Sequence, residues 1–163
     1  MSVIGQDSHR FSADPSRPLR LGGCLIPDCP GLDGNSDADV ILHAVTNAIS
    51  GYTGQNILGE RADEVCRKGL KDSRVYLQMA LQDLASVSQD RASICHCSLS
   101  IEASRPRLAP HIGPIRAELA RLLGLSPYRI GLTATSGEGL SAAGSGEGMI
   151  CFCCLTIRLP EPV

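Results

Sequence analysis

Apolar residues recur at helical spacing in three stretches of the chain, and the clearest of them lies within 36–51. Ser36 is the predicted N-cap of this first helix, and Asp39, three residues later, is its reciprocal partner in a capping box. Four apolar residues then share one helical face, while His43 lies off that stripe. The apolar positions are Ile41, Val45, Ala48 and Ile49.

The other two predicted helices also have recognisable limits. The second begins at Asp72 or Ser73, and the third follows Pro110 and His111 and ends at Gly124, a residue suited to a left-handed cap. Between the first and second helices, the polar stretch 52–71 is predicted to be an irregular loop and a functional lid. The apolar sides are Val75, Tyr76, Met79, Ala80 and Leu84 for the second helix, and Ile112, Ile115, Leu119 and Leu122 for the third.

Strands are predicted where apolar and polar residues alternate or where β-branched residues cluster. A hairpin is expected around Gly22-Gly23, because two glycines suit the positive φ angles of a two-residue turn. The glycine-rich loop 137–148 joins the last two strands. The order of elements predicts one α+β domain over 1–163, with helices on one face of a mixed or antiparallel sheet. The predicted strands begin at Val3 or lie within 19–26, 94–102, 129–135 and 149–159.

The composition of the chain argues against several classes of function. The formal net charge is -2 and aromatic residues make up 3% of the chain, which argues against a nucleic-acid surface. No apolar run is long enough to cross a bilayer, and the first ten residues lack the pattern of a signal peptide. We therefore expect a cytoplasmic protein with no membrane or nucleic-acid partner.

Eight cysteines raise the question of disulfides or a thiolate zinc site. Cys95 and Cys97 alternate in step with Leu99 and Ile101, so they are interpreted as small apolar residues on a buried strand face. The alternative is a zinc site that they form with the cysteines of 151–154.

A second candidate metal site joins the first strand to the first helix. Asp7 and His9 are two residues apart, so on an extended chain they point to the same side. Together with His43 they offer one carboxylate and two imidazoles, a known ligand set for catalytic zinc. The competing interpretation is a structural or surface role. His96 and His111 are expected to be ordinary surface histidines.

Two further stretches are candidates for phosphate binding. In 133–138, hydroxyls and backbone N–H groups leave a strand, and Glu138 could bind a divalent cation. In 105–108, Arg105 and Arg107 could pair with a phosphate. A flexible polar turn and a solvated basic turn are the respective alternatives.

Taken together, these motifs resemble those of the 2-C-methyl-D-erythritol 2,4-cyclodiphosphate synthase family of the non-mevalonate isoprenoid pathway. The resemblance spans about 3–157 and depends on the order and intervals of the motifs rather than on any one of them. The motifs are Asp7-x-His9, Leu21-Gly22-Gly23, Ser36-Asp37-x-Asp39 with His43, Asp72-Ser73, Pro106-Arg107-Leu108-x-Pro110-His111, Ala134-Thr135-Ser136-x-Glu138 and Gly144-x-Gly146-Glu147-Gly148.

This resemblance implies a ferredoxin-like fold that assembles as a homotrimer, with active sites between subunits. Asp7, His9 and His43 would hold Zn²⁺, and Glu138 would hold Mg²⁺ or Mn²⁺ against the phosphates of a cytidine diphosphate-linked substrate. The 2-phosphate would attack the β-phosphorus and release CMP. Asn35 and Ser136 would be the catalytic positions, and the substrate would contact Asn35, Ser36, Gly59, Ala103, Arg107, Leu108, Ala134, Thr135, Ser136 and Glu138.

Several positions depart from the family pattern. Asn35 stands where the family usually has histidine, Asn47 and Ile57 stand where it has aspartate, and Ala142 and Ser145 replace an aromatic residue and an arginine. The lost arginine belongs to a proposed prenyl-diphosphate site, so such binding is not expected here. An active, divergent lyase is the favoured interpretation. A trimeric metal- and nucleotide-binding protein without turnover, and a zinc-dependent phosphate-ester hydrolase, are the alternatives.

Overall fold

Four long strands form one mixed sheet in the computed structural model, which describes residues 1–89 and 91–159. The strands of the structure are β1 Ser2–Arg10, β2 Pro18–Leu21, β3 Cys24–Pro30, β4 Ser93–Glu102, β5 Ile130–Thr135 and β6 Gly148–Arg158. In the four-stranded sheet they lie in the order β1-β6-β4-β5; β6 pairs antiparallel with β1 and β4, whereas β4 and β5 are parallel. The α+β class and the mixed sheet predicted from the sequence are thus confirmed.

The remaining two strands form the predicted hairpin. β2 pairs antiparallel with β3 in a separate two-stranded sheet, and Leu21 lies opposite Cys24. Gly22 and Gly23, between them, have φ angles of 60° and 83°. The tight two-residue turn that matches the twist of the strands requires two consecutive positive φ angles, and glycine adopts them without steric cost.

The described part of the chain contains four α-helices, one more than expected: α1 Val40–Thr53, α2 Glu60–Arg67, α3 Ser73–Ser88 and α4 Ile112–Leu123. The prediction of an irregular loop over 52–71 is wrong, because α2 lies inside it. Ala62 and Cys66, one turn apart, face inward, and Glu60 and Asp63 place negative charge in the first turn. None of the described helices has the length and hydropathy needed to span a bilayer.

The first helix begins and ends later than expected. Asp39, not Ser36, is the N-cap: its carboxylate accepts the N–H groups of Ile41 and Leu42 at 3.2 and 3.1 Å. The Ser36 hydroxyl accepts the Ala38 N–H instead, in a turn before the helix. The helix continues past Gly51 to a left-handed cap at Gly54.

Asp39 also ties the helix to the hairpin turn. Its two carboxylate oxygens accept the N–H groups of Gly22 and Gly23 at 2.8 and 2.7 Å, and its side chain is fully buried. One carboxylate thus satisfies donors from two separate elements. Backbone donors left unpaired in the interior are costly, so this residue holds β2–β3 against the start of α1.

We expect Asp39→Ala to lower the free energy of unfolding by about 2–4 kcal/mol, because it removes a helix cap and orphans the two turn donors. Asp72, the half-exposed N-cap of α3, provides the matched control, and Asp72→Ala should cost only about 0.5–1 kcal/mol. Urea unfolding of both variants measures the difference. Equal losses would show that the contact of Asp39 with the turn contributes nothing.

The mixed sheet is buried on one face and exposed on the other. Cys97, Leu99 and Ile101 of β4 are buried, whereas the polar residues between them are exposed, as the sequence predicted. Cys95 is only half-buried, because the β4–β6 register shifts between Ile94 and His96 and displaces it from the alternation.

The helix α1 lies on the buried face and is enclosed almost all round. It contacts β1 and β6 on one side and α3 on another. The four predicted apolar residues are buried, but so are neighbours outside that stripe, including His43 at 6% exposure. The predicted apolar stripe of α1 is therefore correct but incomplete, because a helix that is covered on several sides buries residues on more than one face.

Candidate metal centre and active-site pocket

Asp7, His9 and His43 meet where β1 passes under α1. The alternation of β1 puts Gly5, Asp7 and His9 on the face that α1 covers. A Cβ at Gly5 would lie 2.2 Å from the Ala44 carbonyl oxygen, so only glycine permits this close approach of strand and helix. The contact brings His43, in the first turn of α1, over the two strand residues.

The three side chains place their ligand-type atoms at the corners of a nearly equilateral triangle. Asp7 Oδ2 lies 2.9 Å from His9 Nε2 and 3.0 Å from His43 Nδ1, and the two nitrogens are 3.1 Å apart. A tetrahedral zinc ion with bonds of about 2.0–2.1 Å separates its ligand atoms by about 3.3–3.4 Å. The triangle of ligand atoms therefore needs to open only slightly to hold a small divalent cation, as predicted for these three residues.

The His9 ring nitrogen that faces away from the triad, Nδ1, forms a hydrogen bond with the backbone. His9 Nδ1 lies 2.8 Å from the Asp33 carbonyl oxygen, which can only accept a hydrogen bond. Nδ1 therefore carries a proton, and Nε2, which faces Asp7 and His43, is the nitrogen left to bind a metal ion. This is the usual arrangement of a metal-binding histidine.

Charge at this centre keeps the carboxylate ionised. Burial alone would raise the pKa of Asp7, but hydrogen bonds from His43 and His9, with their positive charge, lower it to about 2. Burial likewise opposes protonation of His9, yet the Asp7 carboxylate raises its pKa on balance. An ionised carboxylate in a partly buried setting is the anionic ligand that a divalent cation requires.

A pocket with about 510 Å³ of open space lies over the triad. Three residues predicted to bind substrate, Asn35, Ser36 and Gly59, line it beside Asp7, His9 and His43. The helix α2 also lines the pocket, with Ala62, Asp63 and Cys66, and this contribution was not predicted from the sequence. Apolar residues at Ala62, Val65 and Cys66 were the helix signal that could have revealed it.

The other predicted substrate-binding residues, except Glu138, lie in a different pocket. It is formed after β4 and at the end of β5, and none of the triad lines it. Ser136, predicted to be catalytic, belongs to this second pocket and not to the one above the triad. The predicted residues that line it are Ala103, Arg107, Leu108, Ala134, Thr135 and Ser136.

Glu138, the predicted ligand of a second cation, lies outside the triad on a short turn. It is exposed, has a φ of 50°, and accepts a hydrogen bond of 2.8 Å from the Ser136 hydroxyl. No cysteine joins a metal-type cluster: among residues 1–89 and 91–159, the one group of three or more ligand-type side chains is Asp7, His9 and His43. The thiolate alternative therefore has no support in the described residues.

Comparison with known proteins identifies the family. The chain matches the YgbB family over residues 2–158. It is 46% identical over 156 residues to the 2-C-methyl-D-erythritol 2,4-cyclodiphosphate synthase of Chlamydia muridarum, covering 94% of this chain and 85% of that protein. This chain belongs to the YgbB family.

Solved structures of YgbB-type synthases share the fold. A CDP-bound form of 2C-methyl-D-erythritol-2,4-cyclodiphosphate synthase matches with a TM-score of 0.82 and 32% identity, covering 97% of this chain and 100% of that one. The bifunctional IspDF of Campylobacter jejuni has the same TM-score with 29% identity, and the match spans 97% of this chain but 42% of that longer protein. The family resemblance and the enzyme class predicted from the sequence are thereby confirmed.

Two of the departures from the YgbB-family pattern have structural roles here. Asn47 donates a 2.9 Å hydrogen bond from Nδ2 to the Gln6 carbonyl oxygen, a bond that an aspartate could not donate, and so joins α1 to β1. Ile57 is fully buried in the core. Asn35 lies at the pocket, with Nδ2 at 3.3 Å from Asp63 Oδ1. Ala142 and Ser145 are exposed in the glycine-rich loop.

Proposed function

We propose that this protein forms 2-C-methyl-D-erythritol 2,4-cyclodiphosphate, by attack of the 2-phosphate of 4-diphosphocytidyl-2-C-methyl-D-erythritol 2-phosphate on its own β-phosphorus. A P–O bond forms to the β-phosphorus as the bond to the α-phosphate oxygen breaks, and CMP leaves with that electron pair. The observation that carries the proposal is the Asp7–His9–His43 triangle at the base of a pocket, in a chain of this family.

The residues divide into metal ligands and substrate contacts. Asp7, His9 and His43 would hold Zn²⁺, and Glu138 would hold Mg²⁺ or Mn²⁺, whose bound charge would neutralise the phosphates. Asn35 and Ser36, at the rim of the triad, offer polar groups to a phosphate oxygen. Their contribution is to hold the 2-phosphate in line with the β-phosphorus, since phosphoryl transfer depends mainly on positioning and charge.

A homotrimer would bring the two pockets together. The triad pocket and the pocket around Arg107 have no lining residue in common, so one chain holds two half-sites rather than one complete site. The open sheet face also exposes apolar surface, with Ile4 at 72% and Phe152 at 42% exposure. Light scattering after size exclusion should give three times the mass of one chain, and a monomer would refute this assembly.

The pocket around Arg107 is proposed to bind the cytidine part of the substrate. Leu108 and Ala103 are buried at its wall, and Arg107 is exposed at its mouth. The guanidinium there can pair with a phosphate, while the apolar wall covers the base.

We expect Arg107→Ala to raise the KM for the nucleotide substrate about 10-fold or more, with a smaller change in kcat, because a charged hydrogen bond of about 1.5–3 kcal/mol is lost. Steady-state kinetics measures this effect. Arg121→Ala is the matched control, since Arg121 pairs with Glu118 on α4, away from both pockets. Unchanged kinetics in Arg107→Ala would remove Arg107 from the site.

Product analysis by phosphorus NMR tests the reaction itself. The proposal requires the cyclic diphosphate together with CMP in equal amounts. A linear hydrolysed phosphate would mean that water attacks instead, as in a phosphate-ester hydrolase. No turnover, with metal and CDP still bound, would mean that the chain only binds nucleotide.

A further inference from the structure

The outer nitrogen of His43 faces a hydroxyl rather than a carbonyl group. His43 Nε2 lies 2.9 Å from Ser73 Oγ, at the first residue of α3, and both residues are buried. His43 Nδ1 faces Asp7 and His9. A serine hydroxyl can either donate or accept, so this contact alone does not decide which ring nitrogen carries the proton.

A second carboxylate, that of Asp37, determines whether Ser73 donates to His43 Nε2 or accepts from it. The Ser73 hydroxyl donates a hydrogen bond to a carboxylate oxygen of Asp37. The Ser73 N–H also points at Asp37, at 3.2 and 3.3 Å from the two carboxylate oxygens. Because the only proton of the Ser73 hydroxyl points at Asp37, Ser73 Oγ can only accept a hydrogen bond from His43 Nε2. Nε2 of His43 must then carry a proton, which leaves Nδ1, the nitrogen that faces Asp7 and His9, to bind a metal ion.

We propose that Ser73 and Asp37 are positioning residues that hold the His43 ring with Nε2 as a hydrogen-bond donor and with Nδ1 turned towards the metal site. The order of hydrogen bonds is His43 Nε2–H to Ser73 Oγ, and Ser73 O–H to the Asp37 carboxylate. This inference deepens the proposed metal site, since it concerns how the protein prepares His43 before a metal binds.

A nearby hydroxyl shows why such control is needed. Ser36 Oγ is also near His43 Nε2, at 3.4 Å, and accepts the Ala38 N–H. If Ser36 donated its proton to Nε2, the ring proton would move to Nδ1, where it would block the metal. The shorter contact with Ser73 makes Nε2 a donor and prevents this.

The test begins with the metal-free protein, so it does not depend on catalysis. Nitrogen-15 NMR of histidine-labelled protein shows which ring nitrogens carry protons, and the chain has only 4 histidines to assign. We expect Nε2 of His43 to be protonated in the native chain and only partly protonated in Ser73→Ala. Alanine suits the first turn of a helix, so this variant should fold.

Metal binding is the second measurement. Zinc affinity, measured by chelator competition, should fall about 10- to 100-fold in Ser73→Ala, as is typical when a hydrogen-bond partner of a metal ligand is lost. Ser88→Ala is the matched control, because Ser88 lies at the other end of α3 and its hydroxyl donates to carbonyl groups of that same helix. It should change neither measurement.

Asp37 is tested through its dependence on Ser73. Asp37→Ala should weaken zinc binding in the native background and have little further effect in Ser73→Ala, because it acts through that hydroxyl. Unchanged protonation of His43 Nε2 and unchanged zinc affinity in a folded Ser73→Ala would overturn the proposal, as would fully additive losses in the double variant. If the native chain shows protonated Nε2 but binds no zinc, the metal site fails while the hydrogen-bond order stands.

Discussion

His43→Ala should leave a folded protein that no longer retains zinc and has lost at least about 10³-fold in kcat/KM, because charge neutralisation of the phosphates is worth several kcal/mol. His43 supplies one corner of the triangle, 3.0 Å from Asp7 and 3.1 Å from His9, and two ligands alone hold zinc weakly. Elemental analysis and steady-state kinetics measure the two losses.

The controls for this variant separate metal loss from misfolding. His43→Gln keeps more of the buried volume and should also lose zinc, so agreement between the two variants excludes a cavity effect. His96→Ala changes a histidine that is exposed on β4 and lies outside both pockets, and it should retain zinc. A full complement of zinc in either His43 variant would refute the proposed ligand set.

Gly5→Ala should destabilise the protein by about 3 kcal/mol or more and also weaken its zinc binding. The added methyl group would lie 2.2 Å from the Ala44 carbonyl oxygen and 2.3 Å from the Ala48 nitrogen, both of which are backbone atoms of α1. Backbone cannot rotate away as a side chain can, so strand and helix must separate. Asp7 and His9 would then move away from His43.

A second glycine provides the comparison for that substitution. Gly113 lies in the first turn of α4, and a Cβ there would meet nothing within 4 Å. Gly113→Ala should therefore stabilise the protein by about 0.4–1 kcal/mol, since alanine loses less chain entropy on folding. Thermal unfolding and zinc content of both variants distinguish the cases. A Gly5→Ala protein with native stability would show that the approach of β1 to α1 is not tight.

Local signals in the sequence predicted much of the fold. The Gly22-Gly23 turn was correct because positive φ angles have a strong residue preference, and α4 ends at Gly124 for the same reason. The predicted start of α1 was wrong because Ser36 and Asp39 are both good N-cap residues. Asp39 is favoured by the N–H groups of Gly22 and Gly23, which are distant from it in the sequence.

For the active site, the sequence by itself determined the residue types: a carboxylate and imidazole two residues apart, a third ligand on a helix, and motifs in an order typical of one family. The tertiary structure alone decided how they meet. Gly5 lets α1 approach β1 closely, and Asp37 and Ser73, 36 positions apart, come into contact behind His43. The physical reason is that local preferences act between neighbours in the chain, whereas ligand geometry and proton placement depend on atoms that only packing brings together.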